Sequence, residues 1–237
     1  MTIFKNLSSW TTTKTLAIAA TGALSLAAMP SHAADLTGFS ATYAVSADGK
    51  KGTATRTLTK SGNNYTYNVN ATAAGIASVK QSANFSLVNG KIAPANASMS
   101  VRILGIGNTH SVKFNNRAKT VTSTYKGKTT NLKMGAQAYD DLSLEAQIRQ
   151  ELMNGKFTGN YALVKKNRIE TTKFRRAGKS KITVPAGTYD VIRIDRVHDD
   201  KDRATSFWIA PSLNYLPVKV SQTNDGKVIA MELTKVN

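Results

Sequence analysis

The chain contains no cysteine, which excludes disulfide bonds, thiolate metal ligands and lipid attachment at an N-terminal cysteine. Acidic residues are also scarce, because 14 Asp and Glu stand against 32 Lys and Arg, for a formal net charge of +18. An excess of positive charge favours polyanions as partners: lipopolysaccharide phosphates, anionic lipid headgroups, acidic glycans or nucleic acid.

Long hydrophobic runs are confined to the N-terminal segment. Residues 16–29 are apolar and uncharged, lysines precede them, and Ser31 and Ala33 supply the small residues of a cleavage site. This run is shorter than the ~20 residues of a membrane span. We therefore expect residues 1–33 to be a signal peptide cleaved after Ala33, and residues 34–237 to be a single β-rich domain in the periplasm. Nucleic acid is the least available polyanion there, so we expect no nucleic-acid partner.

Residues that usually carry catalysis are few. Only His110 and His198 follow the predicted signal peptide, and the common nucleophile, zinc and phosphate-loop motifs are absent. The acidic run Asp199, Asp200 and Asp202 lacks the spacing and glycine of a calcium loop and is typical of a solvated turn. We expect no enzymatic activity, no metal and no cofactor. A hydrolase that uses His198 with carboxylates is the least favoured alternative.

Residues 39–132 alternate between Thr or Ser and Val, Tyr or Ala, with turn sequences at intervals of about eight to twelve residues. These turn sequences are Asp48-Gly49, Ser61-Gly62-Asn63-Asn64, Asn89-Gly90, Asn115-Asn116 and Lys126-Gly127. The pattern predicts consecutive antiparallel hairpins. Tyr65, Tyr67 and Val69 would share one face, which leaves the other face to water. Pro94 predicts a strand that lies at the sheet edge or begins after it.

One segment has helical periodicity instead. Leu144, Ile148 and Leu152 recur at every fourth position after Asp140-Asp141, and Asn154-Gly155 follows them. Aspartate is a good N-cap residue, and glycine commonly ends a helix. We predict an amphipathic helix of about 13 residues whose apolar stripe packs on the sheet. Charged residues would occupy its other faces: Glu145, Arg149 and Glu151.

Strand patterns resume after the helix. The predicted segments are 161–164, 169–176, 181–184, 189–197, 203–210, 217–222 and 227–235. We predict a mainly β fold with a single curled antiparallel sheet, open and barrel-like, of roughly ten to twelve strands with one amphipathic α-helix packed on it. Two β domains joined by the helix are the alternative.

Basic residues concentrate in residues 165–181, where Glu170 is the only acid. Hairpin pairing would place the next strand's arginines beside them, in a patch suited to phosphate or carboxylate. The candidate ligand-binding residues of this patch are Lys173, Arg175, Arg176, Arg193 and Arg196. Strand alternation puts Arg176 on the face opposite Lys173 and Arg175. An equally good interpretation is a solvated edge strand whose lysines prevent aggregation.

Four short motifs occur in a specific order. They are Asp141-Leu142-Ser143, Thr183-Val184-Pro185-Ala186-Gly187-Thr188-Tyr189, Phe207-Trp208-Ile209-Ala210-Pro211 and Leu213-Asn214-Tyr215-Leu216-Pro217-Val218. In this order and spacing the chain resembles an exported bacterial family of unknown function, DUF3108. The resemblance implies an antiparallel β protein whose sheet curls around a helix, similar in style to periplasmic lipoprotein carriers and envelope-integrity proteins. It implies no established activity.

Trp208 and Tyr215 complete the set of candidate ligand-binding residues, although large aromatics are also typical of a core. We predict a non-enzymatic envelope protein that binds an anionic or amphipathic envelope component, namely a lipid, lipopolysaccharide or lipoprotein, with peripheral membrane contact. Such binding would support envelope homeostasis. The alternative is a structural module of the periplasm that contacts another envelope protein and takes no small ligand.

Overall fold

The structure, a computed structural model, describes residues 34–237, so the predicted signal peptide lies outside it. The described residues form fifteen strands, one α-helix and a short 3-10 turn at Pro211–Leu213. The bounds are β1 Phe39–Ala47, β2 Lys50–Ser61, β3 Asn64–Ala73, β4 Ala77–Val88, β5 Lys91–Ile103, β6 Ile106–Asn115, β7 Thr120–Tyr125, β8 Lys128–Lys133, β9 Ala138–Tyr139, α1 Asp141–Met153, β10 Asn160–Lys165, β11 Arg168–Val184, β12 Gly187–Val197, β13 Arg203–Ala210, β14 Leu216–Asn224 and β15 Lys227–Val236.

All fifteen strands belong to one sheet, in the order β8-β7-β6-β5-β4-β3-β2-β1-β15-β14-β13-β12-β11-β10-β9. Neighbours are antiparallel except β9 and β10, which are parallel. β1 pairs with both β2 and β15, so the first and last strands adjoin in the middle of the sheet. The predicted single antiparallel sheet is confirmed, and the alternative of two domains is wrong. The predicted ten to twelve strands are too few.

Two turns without a typical turn sequence explain part of this error. Ala74 and Leu104 adopt left-handed φ values of 50° and 51° at the β3–β4 and β5–β6 turns. Alanine and leucine seldom occupy this region, where Asn, Asp and Gly predominate, so a single following glycine, Gly75 or Gly105, is a weaker turn signal than Asn-Gly or Asp-Gly. The opposite error, one strand predicted as two, also occurs. The predicted segments 169–176 and 181–184 are one strand, β11, with a register shift between Arg176 and Gly178.

Pro94 lies inside β5, which pairs with β4 and β6, so the prediction of an edge strand or a later start is wrong. A register shift next to the pair Phe85 and Pro94 accommodates the residue. A bulge of this kind tolerates a missing backbone donor inside a sheet. The Pro94 carbonyl accepts a hydrogen bond from the Asn116 side chain, at 2.7 Å.

The two ends of the curled sheet overlap instead of pairing. Val164 of β10 packs against Val112, Phe114 and Val121 of β6 and β7. Ser123 of β7, fully buried, donates a hydrogen bond to the carbonyl of residue 166 in the β10–β11 turn. Within residues 34–237 no backbone pairing joins β8 to β9, so side chains and this hydroxyl close the curl.

Helix α1 begins as predicted. Asp140 is its N-cap and accepts the backbone N–H groups of Leu142 and Ser143, at 3.0 and 3.1 Å, while the Ser143 hydroxyl accepts from the Asp140 N–H. This capping box fixes the first turn. Asn154 is the C-cap, and Gly155 follows with a φ of 68°.

The predicted amphipathic packing of α1 is wrong in one respect. The curled sheet encloses the helix, and its polar positions are buried together with its apolar ones. Arg149 is 1% exposed and Gln150 is fully buried. A leucine repeat marks one buried face of a helix, but it does not show whether the opposite face meets water or more protein.

The sheet extends beyond the helix. Thirteen helical residues span about 20 Å, whereas the thirteen residues of β5 span about 40 Å. We call the rim of the sheet where α1 begins the N-rim; its turns are 48–49, 74–76, 104–105, 126–127, 166–167, 198–202 and 225–226. The opposite rim, where α1 ends, is the C-rim. Only the middle and the C-rim side are filled by the helix.

Candidate functional site

A surface depression of about 370 Å³ lies at the N-rim, beside the β12–β13 turn. Five basic residues and two acidic residues line it, which gives an excess of positive charge. We call it the arginine depression; its basic residues are Arg175, Arg193, Arg196, Lys201 and Arg203, and its acids are Asp195 and Asp200. The acidic turn 198–202, predicted as solvated, forms one wall of it.

Asp195 organises the floor of the depression. Arg193 contacts both of its carboxylate oxygens, at 2.7 and 3.2 Å, and Arg175 contacts one, at 3.3 Å. Ser206 donates a further hydrogen bond, at 2.8 Å. Burial opposes the charge of Asp195, but the hydrogen bonds from Arg193 and Ser206 outweigh it and lower its pKa. The carboxylate therefore stays ionised and holds two guanidinium groups in fixed positions.

The other predicted basic residues are not gathered into one patch. Arg196 also lines the depression, but it alternates to the other face of β12 from Asp195, where it contacts Glu170 and Thr172 at 3.4 and 3.5 Å. Arg176 stacks on Phe157, 5.4 Å from the ring centroid, next to the β11 register shift. Lys173 is exposed on β11, two positions before Arg175. Period-two alternation separates these residues as the sequence predicted, and Arg175 and Arg193 alone share a partner.

Trp208 faces outward, beside the arginine depression. Its ring is half-buried between Arg193 and Lys219, with the cations 5.5 and 5.6 Å from the ring centroid. Cation–π contacts of this kind hold both side chains against a flat apolar surface. Lys219 is also paired with Glu232, at 2.7 Å. Trp208 thus contacts Arg193 and Lys219 and also packs against the core cluster that contains Ala210 and Val218.

Tyr215 lies at the C-rim and packs against a different core cluster from Trp208. Asn214 and Tyr215 have left-handed φ values of 51° and 59°, and the Asn214 carbonyl accepts a hydrogen bond from Arg149 at 3.1 Å. The hydroxyl of Tyr43 donates to the Pro217 carbonyl at 2.9 Å. The motif 213–218 therefore closes the C-rim over the helix, and Tyr215 packs on the core there.

A second polar cluster, buried between α1 and the first strands, was missed from sequence. Arg56 of β2 contacts Glu145 of α1 and the hydroxyl of Tyr67, and Tyr67 donates to Glu145 at 2.7 Å. Arg149 stacks on Phe39 at 4.9 Å. The signals were a lone arginine within the alternating pattern of β2 and charged positions in a helix that the sheet encloses.

Two guanidinium groups are buried in this cluster, and only Arg56 contacts the Glu145 carboxylate. Burial opposes the charge of Arg56, but Glu145 outweighs it, so the pKa of Arg56 lies above its ordinary value. Burial lowers the pKa of Arg149. Burial also raises the pKa of Tyr43 to about 12, so its hydroxyl stays protonated. Such groups position one another and the helix; none is a nucleophile at neutral pH.

The two histidines each contact one hydroxyl group, and His198 also lines the arginine depression together with Asp195 and Asp200. His110 hydrogen-bonds Ser123 at 2.9 Å and His198 hydrogen-bonds Thr205 at 3.0 Å. Burial lowers the pKa of both imidazoles. Across residues 34–237, no three His, Asp or Glu side chains are grouped so that they could hold a metal ion. The same part of the chain contains no helix that is long and apolar enough to cross a membrane.

Comparisons with known proteins agree with this architecture. The crystal structure of a beta-barrel-like protein of domain of unknown function DUF1849 from Brucella abortus is 13% identical, with a TM-score of 0.58, over 86% of this chain and 98% of that one. No curated protein matches the chain. A family model described as a protein of unknown function, DUF3108, matches residues 39–234. The chain therefore belongs to the DUF3108 family.

Proposed function

We propose that this chain is a non-enzymatic, exported envelope protein that binds an anionic envelope component at the arginine depression. The observation that carries the proposal is the depression itself, where Arg175 and Arg193 are held in place by one carboxylate and face about 370 Å³ of open space. Guanidinium groups in fixed positions bind phosphate and carboxylate oxygens in bidentate fashion.

Two further cations extend this surface. Lys201 and Arg203 lie in and after the β12–β13 turn and are exposed, and neither is in an ion pair within the described residues. An anion in the depression can therefore contact them without breaking an existing pair. The headgroup of an anionic lipid or the phosphates of lipopolysaccharide have the required chemistry.

The experiment is a titration with dihexanoyl phosphatidylglycerol, a soluble anionic lipid used below its micelle concentration. We expect salt-sensitive binding that the double variant Lys201→Gln, Arg203→Gln weakens roughly thirtyfold, at about 1 kcal/mol per cation. The control is Lys128→Gln, Lys133→Gln, which removes the same charge from exposed positions of β8. Equal weakening by both pairs would show that net charge, and not the depression, attracts the lipid.

A second candidate function is a protein-interaction module of the periplasm. The observation that favours it is the terminal strand β8, which pairs only with β7 among the described residues. A free strand edge can accept a strand from a partner. Capture of one defined envelope protein that is lost when Asn131→Pro removes an edge-facing backbone N–H would support this function; unchanged capture would contradict it.

A further inference from the structure

An apolar surface at the N-rim has no part in the arginine depression. Four large aliphatic side chains at the β3–β4 and β5–β6 turns are exposed to solvent: Ile76 by 39%, Ile103 by 58%, Leu104 by 72% and Ile106 by 82%. We call these four residues the apolar tip. The Leu104 N–H donates to the Ile76 carbonyl at 2.7 Å, so the two turns form one unit.

The strand register explains why the tip is uncovered. Pairing in β3 to β6 aligns inner-face side chains in rows that run across the four strands. One of these rows is Tyr67, Ala83, Ala97 and Val112. The last row, at the N-rim, is Ala73, Ala77, Ile103 and Ile106. The first of these rows is buried in the core or packed against it. Helix α1 begins beside Gln81 and Met99, one row further on. The last row lies beyond the helix, and nothing within the described residues covers it.

Leu104 has an unfavourable backbone conformation. Its φ of 51° lies in the left-handed region, where Asn, Asp or Gly is preferred in a tight hairpin turn. Such conformations carry a cost and tend to occur at functional positions. The turn thus carries an exposed leucine where a polar residue would suit both the backbone and water.

The charge around the tip indicates what covers it. Residues 49–139 contain 13 Lys and Arg and no Asp or Glu. Arg102 lies beside the tip and donates to the Gly105 carbonyl at 3.3 Å, and Lys80 lies on the same outward face of β4 and β5. A second copy would bring the same uncompensated charge to this face. An anionic bilayer supplies both a negative surface and an apolar interior.

We propose that the apolar tip inserts into the surface of an anionic lipid bilayer, with the basic residues at the N-rim end of the acid-free strands, Lys80 and Arg102 among them, facing the headgroups. This adds an inserted segment to the proposed function and does not depend on the arginine depression. A protein anchored in this way holds its N-rim at the membrane, where the depression also opens.

Flotation with vesicles of phosphatidylglycerol and phosphatidylethanolamine tests the insertion. We expect the double variant Leu104→Ser, Ile106→Ser to lower the vesicle partition coefficient at least about tenfold, since each buried large aliphatic side chain contributes on that order. The matched control is Val88→Ser, because Val88 is 51% exposed at the opposite, C-rim turn. Undiminished flotation of the double variant, or an equal loss for Val88→Ser, would overturn the proposal.

A gain-of-signal variant keeps the test independent of folding losses. Leu104→Trp should show blue-shifted fluorescence with these vesicles, and brominated lipids should quench it, relative to wild-type protein in which Trp208 provides the baseline. An emission maximum that stays at the wavelength of solvent-exposed tryptophan would contradict insertion. A wild-type dimer that Leu104→Ser, Ile106→Ser converts to monomer would likewise contradict it, because a second copy would then be the occupant. The double variant Lys201→Gln, Arg203→Gln separates this proposal from the previous one. It should lose binding of the soluble lipid and keep insertion into vesicles.

Discussion

The two halves of the sheet differ in whether their cations are paired with acids of the same strands. Strands β10 to β15 contain acids that pair with neighbouring cations, such as Asp195 with Arg193 and Glu232 with Lys219. Strands β2 to β8 contain no acidic residue. In the described ion pairs of these strands, the acid comes from another segment: Glu145 of the helix pairs with Arg56, and Asp35 pairs with Lys60. One half pairs some of its cations with acids of its own strands, and the other half has no acid of its own.

The helix connects these halves. Glu145 contacts β2 and β3, and Arg149 contacts the carbonyl of Asn214 between β13 and β14. Because Arg149 is buried and Glu145 is largely buried, the helix fixes the curvature of the sheet as well as filling it. The comparison thus predicts that breaking the helix contacts costs more than breaking any surface pair.

The largest effect is expected for Glu145→Gln. This change leaves Arg56 buried without a carboxylate, and losing one partner of a buried pair costs about 3–5 kcal/mol. The measurement is the free energy of unfolding in urea. Glu232→Gln is the control, because its pair with Lys219 is partly exposed and should cost less than about 1 kcal/mol. Equal costs for the two variants would contradict the role assigned to the helix.

A pH-dependent effect is expected at the start of the helix. Burial raises the pKa of Asp140 from 3.8 to about 6, although hydrogen bonds from Ser143 oppose this. Between these pKa values the folded state binds more protons than the unfolded state. The free energy of unfolding should therefore fall as pH rises from about 4 to 6, by about 3 kcal/mol, and stay lower above that range.

Asp140→Asn tests this dependence, because asparagine is also a good N-cap residue but does not titrate. Urea unfolding across this pH range should show the fall in wild-type protein and its absence in the variant. Asp141→Asn, at an exposed position in the first helical turn, should keep the fall. A variant Asp140→Asn that retains the full dependence would assign it to another group.

A smaller effect is expected where the two ends of the sheet overlap. Ser123→Ala removes the hydroxyl that bonds the carbonyl of residue 166 and leaves that carbonyl unpaired, at a cost of about 1–2 kcal/mol. Amide hydrogen exchange in β7 and β8 should accelerate. Thr122→Ala on the outward face, whose hydroxyl bonds Asn131 at 2.9 Å, is the control and should change exchange little. Unchanged exchange in Ser123→Ala would show that apolar packing alone closes the curl.

Local patterns predicted most of the fold. Alternation such as that of Tyr65, Tyr67 and Val69 gave the buried face of β3, and Asp140 and Gly155 gave the helix ends. Turns built on Ala74 and Leu104 were missed because neither residue favours the left-handed conformation that it adopts. Their backbone is set by pairing on both sides, which is tertiary information.

The candidate site was less predictable. Pairing between β11 and β12 brought Arg175 to Asp195, as a hairpin should, but the same pairing placed Arg196 on the other face. The buried arginines were missed for a different reason. The sequence pattern around an arginine on an alternating strand is the same whether its side chain meets water or an enclosed helix. The carboxylate that compensates the buried charge of Arg56 belongs to Glu145, which lies 89 residues away in the chain.

The most direct test of the account is hydrogen exchange of the protein with and without phosphatidylglycerol-containing vesicles. The account predicts protection at the N-rim, in residues 101–107 and 196–206, with no change at the C-rim turns 88–91 and 211–215. Protection at the C-rim, or none at either rim when the vesicles are bound, would contradict the claim that the N-rim is the ligand-binding end of the sheet.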